Sequence, residues 1–267
     1  MSELKLTQIW IYPVKSLGGI SLPGGKVTGK GLQYDRRWML VDEEGKFITQ
    51  RVYPEMALFH PSLSGTRLTI THGTDAVDIS LDQPPVGEGA KVQIWDDVVT
   101  AIEVSRAHSE WFSDHLKMKC QLVYFPEENE RPVDPVYKVN DEHVSLADGY
   151  PFLIIGQSSL DDLNSKLATA IPINRFRPNL VFSGGEPYEE DLWRDFSVGN
   201  TRFVGVKPCA RCVLTTVDPD TGEKGTEPLR TLATYRRRDN KIYFGQNLVA
   251  LDHSDIHVGD LITLKNP

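Results

Sequence analysis

KPCARCVLTTVDPDTGE, residues 207–223, sets two cysteines three positions apart, Cys209 and Cys212, ahead of a β-branched run and an Asp-Pro-Asp-Thr-Gly turn. Three chemistries use such a pair: a zinc site, a redox disulfide, or a loop that presents one thiolate. A structural zinc needs four ligands, and no second Cys-x-x-Cys exists; the remaining candidates, His253 and His257, stand far downstream. A thioredoxin-type disulfide puts its first cysteine at a helix N-terminus, whereas Val213-Leu214-Thr215-Thr216-Val217 predicts a strand. Two small buried hydrophobes are the bland reading. Against it, Lys207 and Arg211 flank the pair and favour a thiolate. A thiolate on a loop entering a strand suits a soft metal, and one cysteine suffices where a cofactor brings the other ligands.

Outside this stretch the composition narrows the classes. About 40% hydrophobic residues in a chain of 267 fill a sizeable core without disulfides. Three cysteines, at 120, 209 and 212, are too few for a secreted disulfide scaffold, so reduced thiols are expected. A net charge of -8 offers no general attraction to a phosphate backbone, which argues against nucleic acid as the main partner. The one basic run, Arg236-Arg237-Arg238, predicts a solvated helix end. Glu3 and Lys5 stand where a signal peptide carries its apolar stretch, and no segment approaches ~18 uninterrupted apolar residues. A soluble, cytoplasmic protein with no membrane span is expected.

Strand-like segments dominate: 6–13, 36–50, 67–73, 75–82 and 91–104 mix β-branched and aromatic residues with turn formers, the second as a hairpin turning at Glu44-Gly45. Two helices are predicted, near 107–118 with Trp111, Phe112 and Leu116 on one face, and near 158–168 with Leu160, Leu163 and Leu167, started by Ser159 three before Asp162. Strands following strands argue for a barrel or barrel-like sandwich with helices at its ends. The Pro- and charge-rich segment 125–143 reads as the connection between two halves, giving domains 1–124 and 125–267. Two motifs are decoys. In GGKVTGKG (24–31), Gly31 stands where a phosphate loop needs Ser or Thr, and the strand-like LQYDRRWML follows in place of a helix. DPDTGEKGTEPL (218–229) begins like a calcium loop but has Gly222 fifth and Leu229 twelfth, so it is a turn.

PCARCVLTTVDPDTG closely resembles the signature of the MOSC-domain proteins, in the branch of the mitochondrial amidoxime-reducing component and the bacterial YcbX-like enzymes. IYPVKSL (11–17), YDRRWMLVD (34–42), ADGYPFLI (147–154) and FRPNLVFSG (176–184) resemble further motifs of that branch, over nearly the whole chain. The resemblance implies a mainly β protein with some helices: a MOSC β-barrel preceded by an N-terminal MOSC-associated β domain. It implies a molybdenum cofactor (Mo-molybdopterin), with Cys212 as protein ligand to the metal and catalytic residue, and Cys209 as its neighbour. Lys15 and Ser16, Arg36, Arg177 and Arg211, and Asp148 are then cofactor-binding: the cations and hydroxyl toward phosphate or pterin, the carboxylate toward pterin N–H groups. Asn179 is expected to fix backbone and Trp38 to be core, while Ala210 lacks a hydroxyl that some members carry there.

The activity implied is reduction of N-hydroxylated small molecules, such as amidoximes or hydroxylaminopurines, to the N–H compound and water. Three cysteines cannot hold an internal 2Fe-2S cluster, which needs four ligands. Electrons are therefore expected from a separate iron-sulfur or flavin donor, with Arg236 to Arg238 as a candidate docking patch. The alternative from the same resemblance is a non-catalytic carrier of molybdenum cofactor or sulfur, like the MOSC domains attached to cofactor sulfurases.

Overall fold

The computed structural model describes residues 3–265. Among them a nine-stranded sheet dominates, and eight of its strands run in the order Ile262–Leu264, Asp195–Val198, Thr201–Ala210, Lys241–Ala250, Phe152–Gly156, Leu180–Ser183, Lys5–Ile11 and Ile20–Leu22. Neighbours are antiparallel except Phe152–Gly156 with Leu180–Ser183. The sheet closes on itself: Lys5 bridges Leu261, and the Leu6 and Ile262 amides donate to the Asp260 and Leu4 carbonyls at 2.9 Å. Closure removes the free edges that an open sheet would expose.

The first strand shows how the sequence sets its face. Leu6, Ile9 and Ile11 all enter the barrel core, although the first two are three apart. A register shift between Leu6 and Gln8 supplies the extra residue, as a β-bulge does. Phe152–Gly156 is buried throughout because both its faces are covered. Phe152 and Ile154 pack inside the barrel with Phe182, Phe196 and Phe203, while Leu153 and Ile155 pack outside with Leu160 and Leu163 of helix Gln157–Asn164.

The predicted strands between 36 and 104 form smaller sheets, including Trp38–Val41 beside Gln121–Tyr124 and Asp97–Glu103 beside Ala90–Ile94. The hairpin turns at Glu44-Gly45, with the Asp42 amide 2.9 Å from the Lys46 carbonyl. Helix Arg106–Leu116, capped by Ser105, buries Phe112 and Leu116 against Trp38, Leu40 and Phe59. Segment 24–31 is a hairpin whose Lys30 ammonium reaches the Pro126 and Glu127 carbonyls, which disposes of the phosphate-loop motif.

Three expectations need correction. Helix Gln157–Asn164 has no side-chain cap; Ser159 lies inside it and donates to the buried Glu190 at 2.9 Å, a demand for a partner that local spacing does not reveal. The helix before the basic run ends at Ala233, and Arg237–Arg238 is a short strand on Lys241–Ala250. Arg236 is bound to Asp191 at 2.5 Å and lies over Tyr188, so it is not a solvated end and offers no free charge for docking. Val213–Thr216 is a single 3-10 turn instead of a strand, because the strand, Thr201–Ala210, already contains Cys209 and the chain turns away beyond it.

Candidate functional site

The cysteine loop is the bulged end of a long strand. Thr201–Ala210 pairs with Lys241–Ala250, but the register shifts between Gly205 and Lys207 and again between Pro208 and Ala210. Pro208, which lacks a ladder donor, is accommodated at this irregularity. The Arg211 amide then bonds the Ile242 carbonyl at 2.7 Å, and the Thr215 amide and hydroxyl bond the Cys212 carbonyl at 3.1 and 3.0 Å. Backbone on both sides of Cys212 is thereby fixed, and its side chain joins the wall of a cleft of about 330 Å³.

The seven residues singled out in the sequence, Lys15, Ser16, Arg36, Asp148, Arg177, Arg211 and Cys212, all line this one cleft. They come from both ends of the chain. Ser16, Arg36 and Arg177 have φ of 69°, 50° and 54°, a left-handed backbone that side-chain-bearing residues rarely adopt. Such local strain persists where surrounding contacts over-determine it, and three of the nine such residues among those described line the cleft.

The cationic wall is built on Tyr12. Its buried ring carries the Arg177 and Arg36 guanidiniums, 4.1 and 4.4 Å from the centroid. Arg36 Nη1 is held by both oxygens of the buried Asp35, at 2.8 and 2.6 Å, and Asp35 also accepts the Tyr12 amide. Arg177 Nη1 donates to the Leu17 carbonyl at 2.6 Å, leaving Nη2 buried without a partner. Burial and the neighbouring Arg36 charge push Arg177 down to about 10, so it remains cationic at neutral pH. Arg211 spends Nη1 on Cys209 Sγ at 2.9 Å and Nη2 on the Phe176 carbonyl at 2.6 Å; its Nε is buried and unpartnered. Asn179 bridges backbone as expected, accepting from the Leu153 amide and donating to the Trp10 carbonyl.

At the opposite side Lys15 and Asp148 hold each other at 2.6 Å, and Lys15 also donates to the Leu146 carbonyl. Burial pushes the lysine down to about 8, in spite of the carboxylate. Burial alone would raise Asp148, but Lys15 and Arg51 overcome it and hold the carboxyl well below its usual range. The Asp148 side chain is 59% exposed, so solvent screening limits what these pairs contribute to stability.

Sequence reading missed three contributors: Arg51, Lys207 as a wall residue, and Tyr12 as the platform. Arg51 Nε is 3.1 Å from Cys212 Sγ and Nη2 is 2.9 Å from Asp148. Nothing local marks it, since the contact spans 161 positions. The zinc reading does not hold: His257 lies beside Gly24 and His253 beside Gly29, and among the described residues no group of three or more His, Cys, Asp or Glu could hold a metal.

A closed β-barrel whose bulged strand end brings a cysteine to a cation-lined cleft is the class of protein that the fold and site define. The family patterns agree: residues 3–119 match the MOSC N-terminal beta barrel domain and residues 141–263 the MOSC domain. The chain belongs to the MOSC-domain family, in the branch of the amidoxime-reducing components. It is 34% identical to mitochondrial amidoxime-reducing component 1 of Mus musculus and of Homo sapiens, in each case over 97% of this chain and 82% of the relative. It is also 32% identical to molybdenum cofactor sulfurase of Oryza sativa subsp. japonica, over 99% of this chain and 34% of that protein.

The donor set fits the anionic cofactor that this family implies. Six cationic side chains, Lys15, Arg36, Arg51, Arg177, Lys207 and Arg211, face one carboxylate, Asp148, in a chain whose net charge is -8. Two of the guanidiniums keep a buried N–H unmatched by any protein acceptor. Unmatched buried donors are costly unless a ligand or water satisfies them.

Proposed function

We propose that this chain is a molybdenum-cofactor-dependent reductase of N-hydroxylated compounds such as amidoximes and hydroxylaminopurines. Each turnover consumes two electrons and two protons, breaks the N–O bond and yields the N–H compound and water. The electrons come from a separate iron-sulfur or flavin protein. The observation that carries the reading is the Cys212 sulfur in a cleft of six cations, with Arg177 Nη2 and Arg211 Nε unpartnered. When bound, the cofactor supplies a metal that cycles by two electrons. Cys212 is its soft anchor. Arg177 and Arg211, with Arg36 and Ser16, hold the anionic end by charge-assisted hydrogen bonds, and Asp148 accepts N–H groups at the mouth while Lys15 fixes its carboxylate.

The test is metal and pterin analysis of protein from a cofactor-producing host, followed by turnover of an aryl amidoxime. About one molybdenum and one pterin per chain are expected, with activity under reduced viologen and none under NADH alone. The likeness to a cofactor sulfurase and the two free thiols of the loop, Cys209 and Cys212, favour a second reading, a carrier of cofactor or sulfur. Fully loaded protein that gives no turnover with viologen but carries persulfide on Cys209 or Cys212 would establish that reading instead.

A further inference from the structure

We propose that Arg51 is a positioning residue that sets the direction of the Cys212 sulfur. Its Nε donates to Sγ at 3.1 Å, and among the described residues this is the one hydrogen bond to that sulfur. The Cys212 backbone is pinned by Thr215, but the side chain has no other directional contact. Aim is therefore conferred from outside the loop, by a residue of the first half of the chain.

Arg51 is itself held from three sides. Nη2 bonds Asp148 Oδ2 at 2.9 Å, Nη1 lies 3.4 Å from Thr49 Oγ1, and the guanidinium stacks 4.4 Å from the Trp95 ring. Trp95 is fixed in turn by an edge contact with Phe47 and by its Nε1, 3.2 Å from Asp148 Oδ1. A planar fork gripped on its face and at its ends is a rigid reference for a flexible thiol. The same commitments separate Arg51 from the two cations that carry an unmatched donor. Arg177 and Arg211 keep a buried donor free for an anion, whereas Arg51 directs Nε and Nη2 at protein acceptors. Its role is toward the sulfur.

This assignment rests on the reading of Cys212 as the ligand to the metal of a bound cofactor. The experiment compares wild type, Arg51→Gln, Arg51→Lys, Cys212→Ser and Arg177→Ala, each expressed in a cofactor-producing host. Three readouts are pterin content, molybdenum content and the paramagnetic resonance spectrum of the half-reduced metal. Arg51→Gln is expected to keep pterin within about twofold of wild type while its spectrum moves toward that of Cys212→Ser, and Arg51→Lys to move part of the way back, since an ammonium restores the charge and a donor but lacks the rigid fork that fixes their direction. Arg177→Ala is expected to lose pterin and metal together. Should Arg51→Gln fail to fold, a displaced spectrum in Arg51→Lys supports the assignment and a wild-type one overturns it. A wild-type spectrum for Arg51→Gln overturns it, as does loss of pterin from that variant, which would make Arg51 an anion holder. Wild-type protein without pterin or molybdenum overturns the functional reading itself, and this assignment with it.

Discussion

Arg211 Nη1 lies 2.9 Å from Cys209 Sγ, so the guanidinium next to Cys212 in sequence serves the other cysteine. Each thiol of the loop has its own arginine, and only the partner of Cys212 comes from the far half of the chain. The two cysteines are thus inequivalent before any ligand arrives. Cys212→Ser or Cys212→Ala is expected to abolish amidoxime reduction under viologen. Cys209→Ala removes one hydrogen bond to a cation and leaves Cys212 in place, so a loss within about tenfold, ~1 kcal/mol, is expected. Equal, complete loss in both folded variants would mean that the pair acts as a unit.

Arg36 and Arg177 share the Tyr12 ring but differ in commitment, and their variants should differ in kind. Arg177 has a free buried donor, so Arg177→Ala removes a contact to the ligand worth about 1.5 to 3 kcal/mol and weakens cofactor retention roughly ten- to a hundredfold. Arg36→Ala instead strands the carboxylate of Asp35, whose side chain is 1% exposed. Breaking a buried pair from one side costs about 3 to 5 kcal/mol. A large drop in the urea midpoint is expected for Arg36→Ala and a small one for Arg177→Ala; similar drops in both would refute the distinction.

The strands were legible where alternation and turn formers coincide, as at 67–82, and the cleft residues were legible through the motifs they sit in. What stayed hidden depends on long-range contact. The shift from Leu6 to Ile9 breaks the alternation by a bulge, and Ser159 looked like a cap because Glu190, which occupies it, is 31 positions away. Arg236 to Arg238 looked like one charge patch, yet Asp191 and Tyr188 take its first member. Arg51 sits among RVYP residues with no motif of their own; only the folded chain brings it to a sulfur.

Glu190 provides a stability test that does not involve the cleft. Buried against the Gly156 amide at 3.1 Å and the Ser159 hydroxyl, it is pushed up to about 7 by loss of solvent. An unfolded glutamate titrates near ~4.3. Between these values the folded chain holds a proton that the unfolded chain releases, so this group's stabilisation is complete below the unfolded value and is lost as pH rises through about 7. Glu190→Gln stays neutral and can still accept from Gly156. Its stability relative to wild type should improve by ~1 kcal/mol or more from pH 5 to pH 8 in urea titrations. Parallel pH profiles for the two proteins would show that Glu190 is ionised without penalty.

Gly19→Ala tests whether the platform under the two arginines can yield. A Cβ at residue 19 would stand 2.4 Å from Tyr12 Cε1 and 2.8 Å from Cδ1, closer than carbon atoms approach without something moving. Gly19 has no positive φ, so the strain would come from that contact alone. Tyr12 has little freedom to retreat: its ring is 1% exposed and carries both guanidiniums, and its amide is tied to Asp35 at 2.8 Å. Overpacking of this kind costs about 1 to 3 kcal/mol. Displacing the ring would also displace Arg177 Nη2 from the cleft, so pterin retention after dialysis should fall together with the thermal midpoint. Gly87→Ala is the control, because a Cβ there meets only Ile102 at an ordinary 3.7 Å. It should leave both measurements unchanged. Retention preserved in Gly19→Ala at a lowered midpoint would mean that Tyr12 contributes packing and no alignment to the anion site, and an unchanged midpoint would mean that the ring moves freely.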